Sequence, residues 1–369
     1  MDSEMEDPKP LSTQLQCSDY TVGWICALPK EQTAATAMLD YIHPDLPKPP
    51  SDPNTYTLGS IGKHNIVVAC LPKGRIGNNS AATSATQMIR TFPSIKVGLM
   101  VGIGGGLPTK TKLGDVVISA PVDQYPGVVQ WDLGKTEQGG QFRRIGSLNS
   151  PPNALLTALT KMETRSQLSG SRIPDYLKEM EKKWPKLMKE FTCPVHQEER
   201  NVSPIKFRPM NQGWQICRLW EMLLHLLFFL SGWQQLSLIQ HEADKDTSGQ
   251  YEAQPEDIRV HYGLIASGNQ VIKDAELRDL VDRNLGGNVL CVEMEAAGLM
   301  NIIPCIVIRG ICDYADSKKN KDWQEYAASV AAASAKELLE YVHPSDVNEE
   351  RPVKEILGAG KLSSGILMT

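Results

Sequence analysis

The chain has no Cys-x-x-Cys pair, no long block of basic residues and no uninterrupted apolar stretch of membrane-spanning length. Each absence closes a class of function. The eight cysteines are scattered, several of them inside apolar strand patterns where a thiol acts as a small hydrophobe, which points to a reducing compartment. A net charge of −5 without a basic run gives a nucleic-acid partner little electrostatic support. The most apolar run, Leu219 to Trp233, is interrupted by Glu221 and His225 and falls short of the about 20 apolar residues that a span requires. Met1 to Ser18 is acidic and proline-bearing and lacks the apolar core of a secretory signal. His64, His196, His225, His241 and His261 are not at metal-ligand spacing, so neither a metal nor another cofactor is expected. The expectation is a cytoplasmic or nuclear protein with no membrane partner.

What is present is an ordinary globular composition, 41% hydrophobic and 22% charged, over 369 residues, enough for one large α/β domain or two smaller ones. After a disordered leader over 1–18, Tyr20 to Ala27 reads as a first strand ending at Leu28-Pro29-Lys30-Glu31. Tyr56 to Ile61 and Asn65 to Leu71 read as a hairpin through Gly62-Lys63-His64. A helix over about 78–91 follows, capped by Asn78 or Asn79, and then strands over 97–103 and 115–120. Residues 161–195 read as charged, solvated helix. Later come a strand over 260–266, a helix near 273–284, a strand over 288–292, a helix starting near Glu295, a strand over 303–311 and an Ala-rich helix over 322–342. Strands alternating with helices predict an α/β sheet covered on both faces, with ligands at the carboxyl ends of the strands.

Two acids stand out against this background. In Val292-Glu293-Met294-Glu295-Ala296-Ala297-Gly298 and in Ile306 to Asp313, the carboxylates of Glu295 and Asp313 sit at the ends of apolar strands. Burying a carboxylate is costly unless it is paired or used, so both need a reason to be there. A solvated loop acid, or for Glu295 a helix N-cap, explains either one alone about as well as chemistry does. Upstream, Val101-Gly102-Ile103-Gly104-Gly105-Gly106-Leu107 runs from an apolar strand into glycines, read as a turn whose backbone approaches a phosphate or a sugar. Glu31, Gly104 to Gly106, Asn269, Glu295 and Asp313 all fall near strand ends, which groups them into one expected site.

Residues 197–250 fit nothing around them, and three of the seven tryptophans (Trp214, Trp220 and Trp233) fall there within twenty residues. An extra buried helix, a peripheral interaction helix and translated intron sequence all account for the abrupt change in composition. Tryptic peptides from 201–240 of the native protein would exclude the last.

Over roughly 19–195 and 258–342 the chain resembles the nucleoside phosphorylase and nucleosidase superfamily. Within it, the chain looks close to the methylthioadenosine/adenosylhomocysteine nucleosidases and to fungal nucleoside-phosphorylase-like domains. The resemblance implies an α/β fold with a central mixed, partly closed sheet flanked by helices, occupying 19–343 with an unmatched insert at about 197–250 and a flexible tail over 344–369. It implies cleavage of the N-glycosidic bond of a nucleoside, with water in nucleosidases and phosphate in phosphorylases. Cys312-Asp313-Tyr314-Ala315-Asp316 matches the motif that carries the family's general acid, which assigns to Asp313 the proton given to purine N7. Val292 to Glu295 matches the Val-Glu-Met-Glu motif, so that Met294 packs on sugar or base and Glu295 binds the ribose hydroxyls and favours the cationic ribosyl ring. The glutamate that positions the attacking water corresponds to Glu31.

By the same resemblance Gly104 and Gly105 line the sugar or phosphate side, and the segment with Asn269 and Val271 lines the base pocket. Asn269 replaces an aspartate, and Val271 replaces a stacking aromatic whose role then passes to Trp24 or Tyr314. Lys73 and Arg75 are the candidate phosphate-binding cations, for phosphorolysis or, with Arg143 or Arg144, for a nucleotide such as AMP or ATP. The implied partners are a small-molecule purine nucleoside or nucleotide and further copies of the chain in a homo-oligomer. A phosphorylase is the alternative within the class, and a purine-binding signalling module without useful turnover is the alternative outside it.

Overall fold

Short apolar segments, most of them buried on both faces, become strands because only a sheet covered by helices keeps every backbone amide paired while hiding such runs. The computed structural model describes residues 15–139, 142–194, 258–319 and 321–355. In chain order the strands are β1 (Val22–Cys26), β2 (Tyr41–Ile42), β3 (Tyr56–Ile61), β4 (His64–Cys70), β5 (Val97–Gly106), β6 (Val116–Ser119), β7 (Val128–Gln130), β8 (Gly134–Thr136), β9 (Phe142–Arg144), β10 (Val260–Ser267), β11 (Val289–Glu293) and β12 (Cys305–Asp313). The helices are α1 (Pro29–Met38), α2 (Asn78–Thr91), α3 (Asn153–Ser169), α4 (Ile173–Lys183), α5 (Met188–Phe191), α6 (Ala275–Asn284), α7 (Gln324–Tyr341) and α8 (Pro344–Glu349).

The main sheet runs β11-β10-β6-β12-β5-β1-β4-β3-β2, with β7 on β10, while β8 and β9 form a separate hairpin. It is mixed: β5 lies parallel to β1 and β12, whereas β12 runs antiparallel to β6. β11 pairs not only with β10 but also, antiparallel, with β5 through Val292↔Gly105 and Cys291↔Gly106. Strands β5, β12, β6, β10 and β11 therefore close into a ring, and β1, β4, β3 and β2 continue as an open wing. The partly closed mixed sheet expected from the resemblance is the observed architecture.

One apolar cluster joins the sheet to α1, α3, α4 and α7, and a second joins it to α2. Helix α7 is buried almost along its length, and it lies so close to β12 that a Cβ on Gly310 would stand 2.0 Å from the Ala327 carbonyl oxygen. Alanine on the helix and glycine on the strand are the two residues that allow this approach. Among the described residues, no helix is long and apolar enough to cross a membrane.

Four expectations need correction. Gly102 to Gly106 do not form a turn; they continue β5, with Gly102 to Gly105 paired to Arg309 to Asp313 on β12 through one register shift and Gly106 paired to Cys291 on β11. They are glycines because side chains of other elements fill the space beside them. The helix expected from Glu295 is a single 3-10 turn, Ala296–Gly298, because a Cβ on Gly298 would already stand 2.1 Å from the Asn78 carbonyl oxygen and α2 occupies the space beyond. The cap of α2 is Gly77, at φ +94, and Asn78 is the first helical residue. The tail expected from 344 is docked at its start, with Val347 and Val353 buried and the Val353 amide donating to the Ile95 carbonyl at 2.9 Å. The expectations for Trp214, Trp220, Trp233 and the rest of 197–250 lie outside the described residues.

Candidate active site

Glu31 is the third residue of α1, and its place follows from how that helix begins. Pro29 at the first helical position suits a helix start, and the Glu31 carboxylate reaches back to accept the freed amides. Its Oε2 accepts from the backbone N–H groups of Ala27 at 2.7 Å and Leu28 at 2.9 Å, and its Oε1 accepts from Ile103 N–H at 2.9 Å. A carboxylate offers about four lone-pair sites, so one remains for a further donor. Burial pushes the Glu31 pKa up, against the pull of Arg309 and these three amides. The β5 backbone must be bare where it passes. A Cβ on Gly102 would stand 2.4 Å from Glu31 Oε1 and 2.5 Å from Arg309 Nη1.

Arg309 sits in the middle of β12, fully buried. Its Nη2 donates to Glu293 Oε2 and lies 3.5 Å from Glu295 Oε2, while Nη1 donates to the Ile103 carbonyl at 3.4 Å. Burial works against its charge, but Glu293, Glu295 and Glu31 outweigh burial and hold its pKa above the ordinary arginine value. Glu293 also accepts from the amides of Glu295 and Ala296, at 3.1 and 3.0 Å, which fixes the 3-10 turn. Glu295 Oε1 accepts from Gly77 N–H at 3.1 Å, tying the turn to the start of α2. The Glu295 pKa is pushed up to about 7, first by burial and then by Glu293 and Glu31, against Arg309 and the Gly77 amide.

Asp313 ends β12. Its Oδ1 accepts from Ala315 N–H at 2.9 Å, and its Oδ2 accepts from the Cys312 thiol at 3.1 Å and lies 3.0 Å from Lys319 Nζ. Ala315 adopts φ +52, a left-handed conformation that L residues reach only at a cost and that here folds the loop back onto the acid. A Cβ on Gly105 would stand 2.9 Å from Asp313 Oδ1, so glycine again makes the room.

A cavity of about 430 Å³ opens between these elements, and Glu31, Gly104, Gly105, Val271, Met294, Glu295 and Asp313 all line it. That volume suits a small ligand. Its lining also includes Glu293 and three lysines, Lys273, Lys319 and Lys321.

The remaining expected residues lie elsewhere. Asn269 is not in the lining; its Oδ1 accepts from Asn78 N–H at 3.0 Å, so it serves the start of α2. Lys73 and Arg75 are exposed and outside the lining. Arg143 pairs with Glu137 at 3.3 Å, and Arg144 donates to the Gly146 carbonyl at 2.9 Å, both on the β8–β9 hairpin. Trp24 is fully buried in the core, and neither it nor Tyr314 lines the cavity. Sequence reasoning gave no role to Arg309, although an arginine inside an apolar strand signals a buried charge that must find carboxylates. It also gave none to Lys273, Lys319 or Lys321, which lie in polar loop sequence and carry no comparable mark.

Residues 234–343 match the phosphorylase superfamily. A nucleotide-binding leucine-rich repeat (NLR)-like protein of Hyaloscypha variabilis is 42% identical over 355 residues, covering 95% of this chain and 32% of that protein. A 5'-methylthioadenosine/S-adenosylhomocysteine nucleosidase of Mycobacterium bovis is 35% identical over 86 residues, 22% of this chain and 33% of its own length. The ATP nucleosidase Cap17 of Escherichia coli is 23% identical over 273 residues, 72% of this chain and 40% of its own length. The chain thus spans 32 to 40% of the length of these curated relatives. Among solved structures, the Helicobacter pylori 5'-methylthioadenosine/S-adenosylhomocysteine nucleosidase aligns with a TM-score of 0.52 at 17% identity, covering 88% of this chain and 99% of that one. The match to the phosphorylase superfamily covers 234–343, and the α/β fold is the one seen in the nucleosidase structure.

Proposed function

We propose that this chain hydrolyses the N-glycosidic bond of a purine nucleoside or nucleotide. The observation that carries the reading is that Glu31, Glu295 and Asp313, far apart in sequence, line one cavity. In this mechanism Glu31, anchored by three backbone amides, uses its remaining lone pair to orient a water and takes its proton as the water attacks the anomeric carbon. Glu295 holds the ribose hydroxyls, and its negative charge favours the cationic ring that forms as the bond breaks. Asp313 gives a proton to the purine so that the base leaves neutral, and Met294 packs against the sugar. Val271 and the bare edge of Gly104 and Gly105 complete the walls.

Water is preferred over phosphate as the nucleophile because the inner wall carries Glu31, Glu293 and Glu295 around one guanidinium already engaged by Glu293. Such a wall repels an anion approaching the anomeric carbon. The lysines of the lining, and the likeness to a protein named an ATP nucleosidase, support a phosphorylated substrate. Lys73 and Arg75 are the weaker candidates for holding it, since both lie off the cavity. The second reading, a purine-sensing module without turnover, is favoured by the likeness to an NLR-like protein.

Chromatography of products from adenosine, methylthioadenosine, AMP and ATP, with and without inorganic phosphate, separates these readings. Free base and unphosphorylated C1 sugar at equal rates with and without phosphate are expected. A requirement for phosphate would make the chain a phosphorylase, and binding without any base release would make it a sensor. Self-association belongs to the same proposal, because Leu133, Phe142 and Ile145, in and around the β8–β9 hairpin, are exposed apolar side chains. Sedimentation velocity is expected to show a dimer or larger; a monomer at micromolar concentration contradicts it.

A further inference from the structure

Asp313 is in ion contact with Lys319 at 3.0 Å, and Lys319 belongs to the turn that follows the left-handed Ala315. This contact sits awkwardly with the role given to Asp313. A side chain that must hand a proton to a leaving base has to present its neutral form, whereas a paired ammonium engages it as a carboxylate. The other groups facing Asp313, the Cys312 thiol and the Ala315 amide, are also donors that engage it as an acceptor. Lys319 is partly exposed, with side-chain accessibility of 24%, so it is free to leave. It shares the lining with Lys273 and Lys321. In a purine nucleotide the N7 edge of the base faces the 5' side of the sugar, so the group that reaches N7 and the group that reaches the phosphates are neighbours.

We propose that Lys319 is a specificity-determining latch. In the empty site it pairs with Asp313. The phosphate chain of a bound nucleotide, entering between Lys273, Lys319 and Lys321, draws the ammonium away and leaves Asp313 free to take a proton from solvent and pass it to the base. The proton is made good by the one that Glu31 removes from the attacking water, so the cycle balances. A nucleoside without phosphates leaves the latch closed and turns over slowly. The inference rests on the glycosidase reading above and adds to it the reason why one substrate class is chosen.

The test is base release from ATP and from adenosine by wild type, Lys319→Met and Lys319→Arg, read as the ratio of kcat/KM values. Wild type is expected to favour ATP by at least about 10-fold, the worth of one charge-assisted contact. Lys319→Met should raise turnover of adenosine and lower that of ATP, bringing the ratio close to one, and Lys319→Arg should keep most of the preference. A purely structural role would lower both rates and leave the ratio alone. A wild-type ratio near one, or a ratio unmoved in Lys319→Met, overturns the latch. If wild type releases no base from any substrate, the glycosidase reading fails, and equilibrium dialysis then decides the latch. Retention of ATP over adenosine that is lost in Lys319→Met supports it, and equal retention by both proteins overturns it.

Discussion

At the scale of single residues, the charge balance of the site turns on Arg309. Its guanidinium is fully buried and answers Glu293 and Glu295 together, so three charges are held where water is scarce. One cation cannot fully offset the surrounding carboxylates, and Glu295 shows the result in a pKa raised by burial to about 7 from an ordinary 4.5. The sign of the consequence is fixed by linkage. Between these two values the folded protein binds a proton at Glu295 that the unfolded chain has lost, so this residue's stabilising contribution is complete below pH 4.5 and disappears as pH rises through about 7. Urea unfolding of Glu295→Gln between pH 5 and 8 should therefore show a flatter pH dependence than wild type, with the variant relatively more stable at pH 8. An unchanged slope would mean that Glu295 is not the titrating group. The acids themselves were legible in the sequence, because carboxylates at the ends of apolar strands are conspicuous. Arg309 was equally visible but is understood only with its partners, which come from β11 and the turn beyond it. Asn269 shows the reverse: it lies near a strand end as expected, yet its amide oxygen is used by the first turn of α2.

At the scale of elements, β5 explains why glycine misleads. Glycine usually weakens a strand, so a cluster of them after an apolar run reads as a turn. Here the strand continues through them, because Glu31, Arg309, Asp313 and Thr111 occupy the places where side chains would stand. Eight of the twelve described strands, and helices α2, α6 and α7, were legible to within a few residues, since their apolar runs and end signals are local, whereas the short β2, β7, β8 and β9 and the helix that carries Glu31 were not. The 3-10 turn after Glu295 was not, because its length is set by contact with α2 across the fold. β5 also carries a direct prediction. In Gly102→Ala the new Cβ would have to displace the Glu31 carboxylate, which it would meet at 2.4 Å. Base release should fall by about 10²-fold, the usual consequence of misplacing a reacting group by about 1 Å. A normal rate for Gly102→Ala would show that Glu31 need not stand where the structure puts it. Circular dichroism matching wild type would show that the loss is local.

At the scale of the molecule, the cavity is a product of closure. β11 turns back to pair with β5, which brings Glu293 and Glu295 up to the strand that Glu31 already touches, while β12 on the other side of β5 delivers Arg309 and Asp313. No single stretch of sequence contains this arrangement; the shared position at strand ends and the ordered resemblance over 19–195 and 258–342 pointed to it. Two antiparallel pairings stand in the ring, β12 with β6 and β11 with β5, and the second of them seals it. In the function proposed above, this convergence of acids breaks a glycosidic bond. The most direct measurement is the rate of purine base release by wild type beside Asp313→Asn, each assayed with the best substrate of the nucleoside and nucleotide panel. Release by wild type and a loss of at least about 10²-fold in the variant, the contribution of a general acid, are expected. Equal rates from the two proteins, or a wild type that binds purines and releases none, would contradict it.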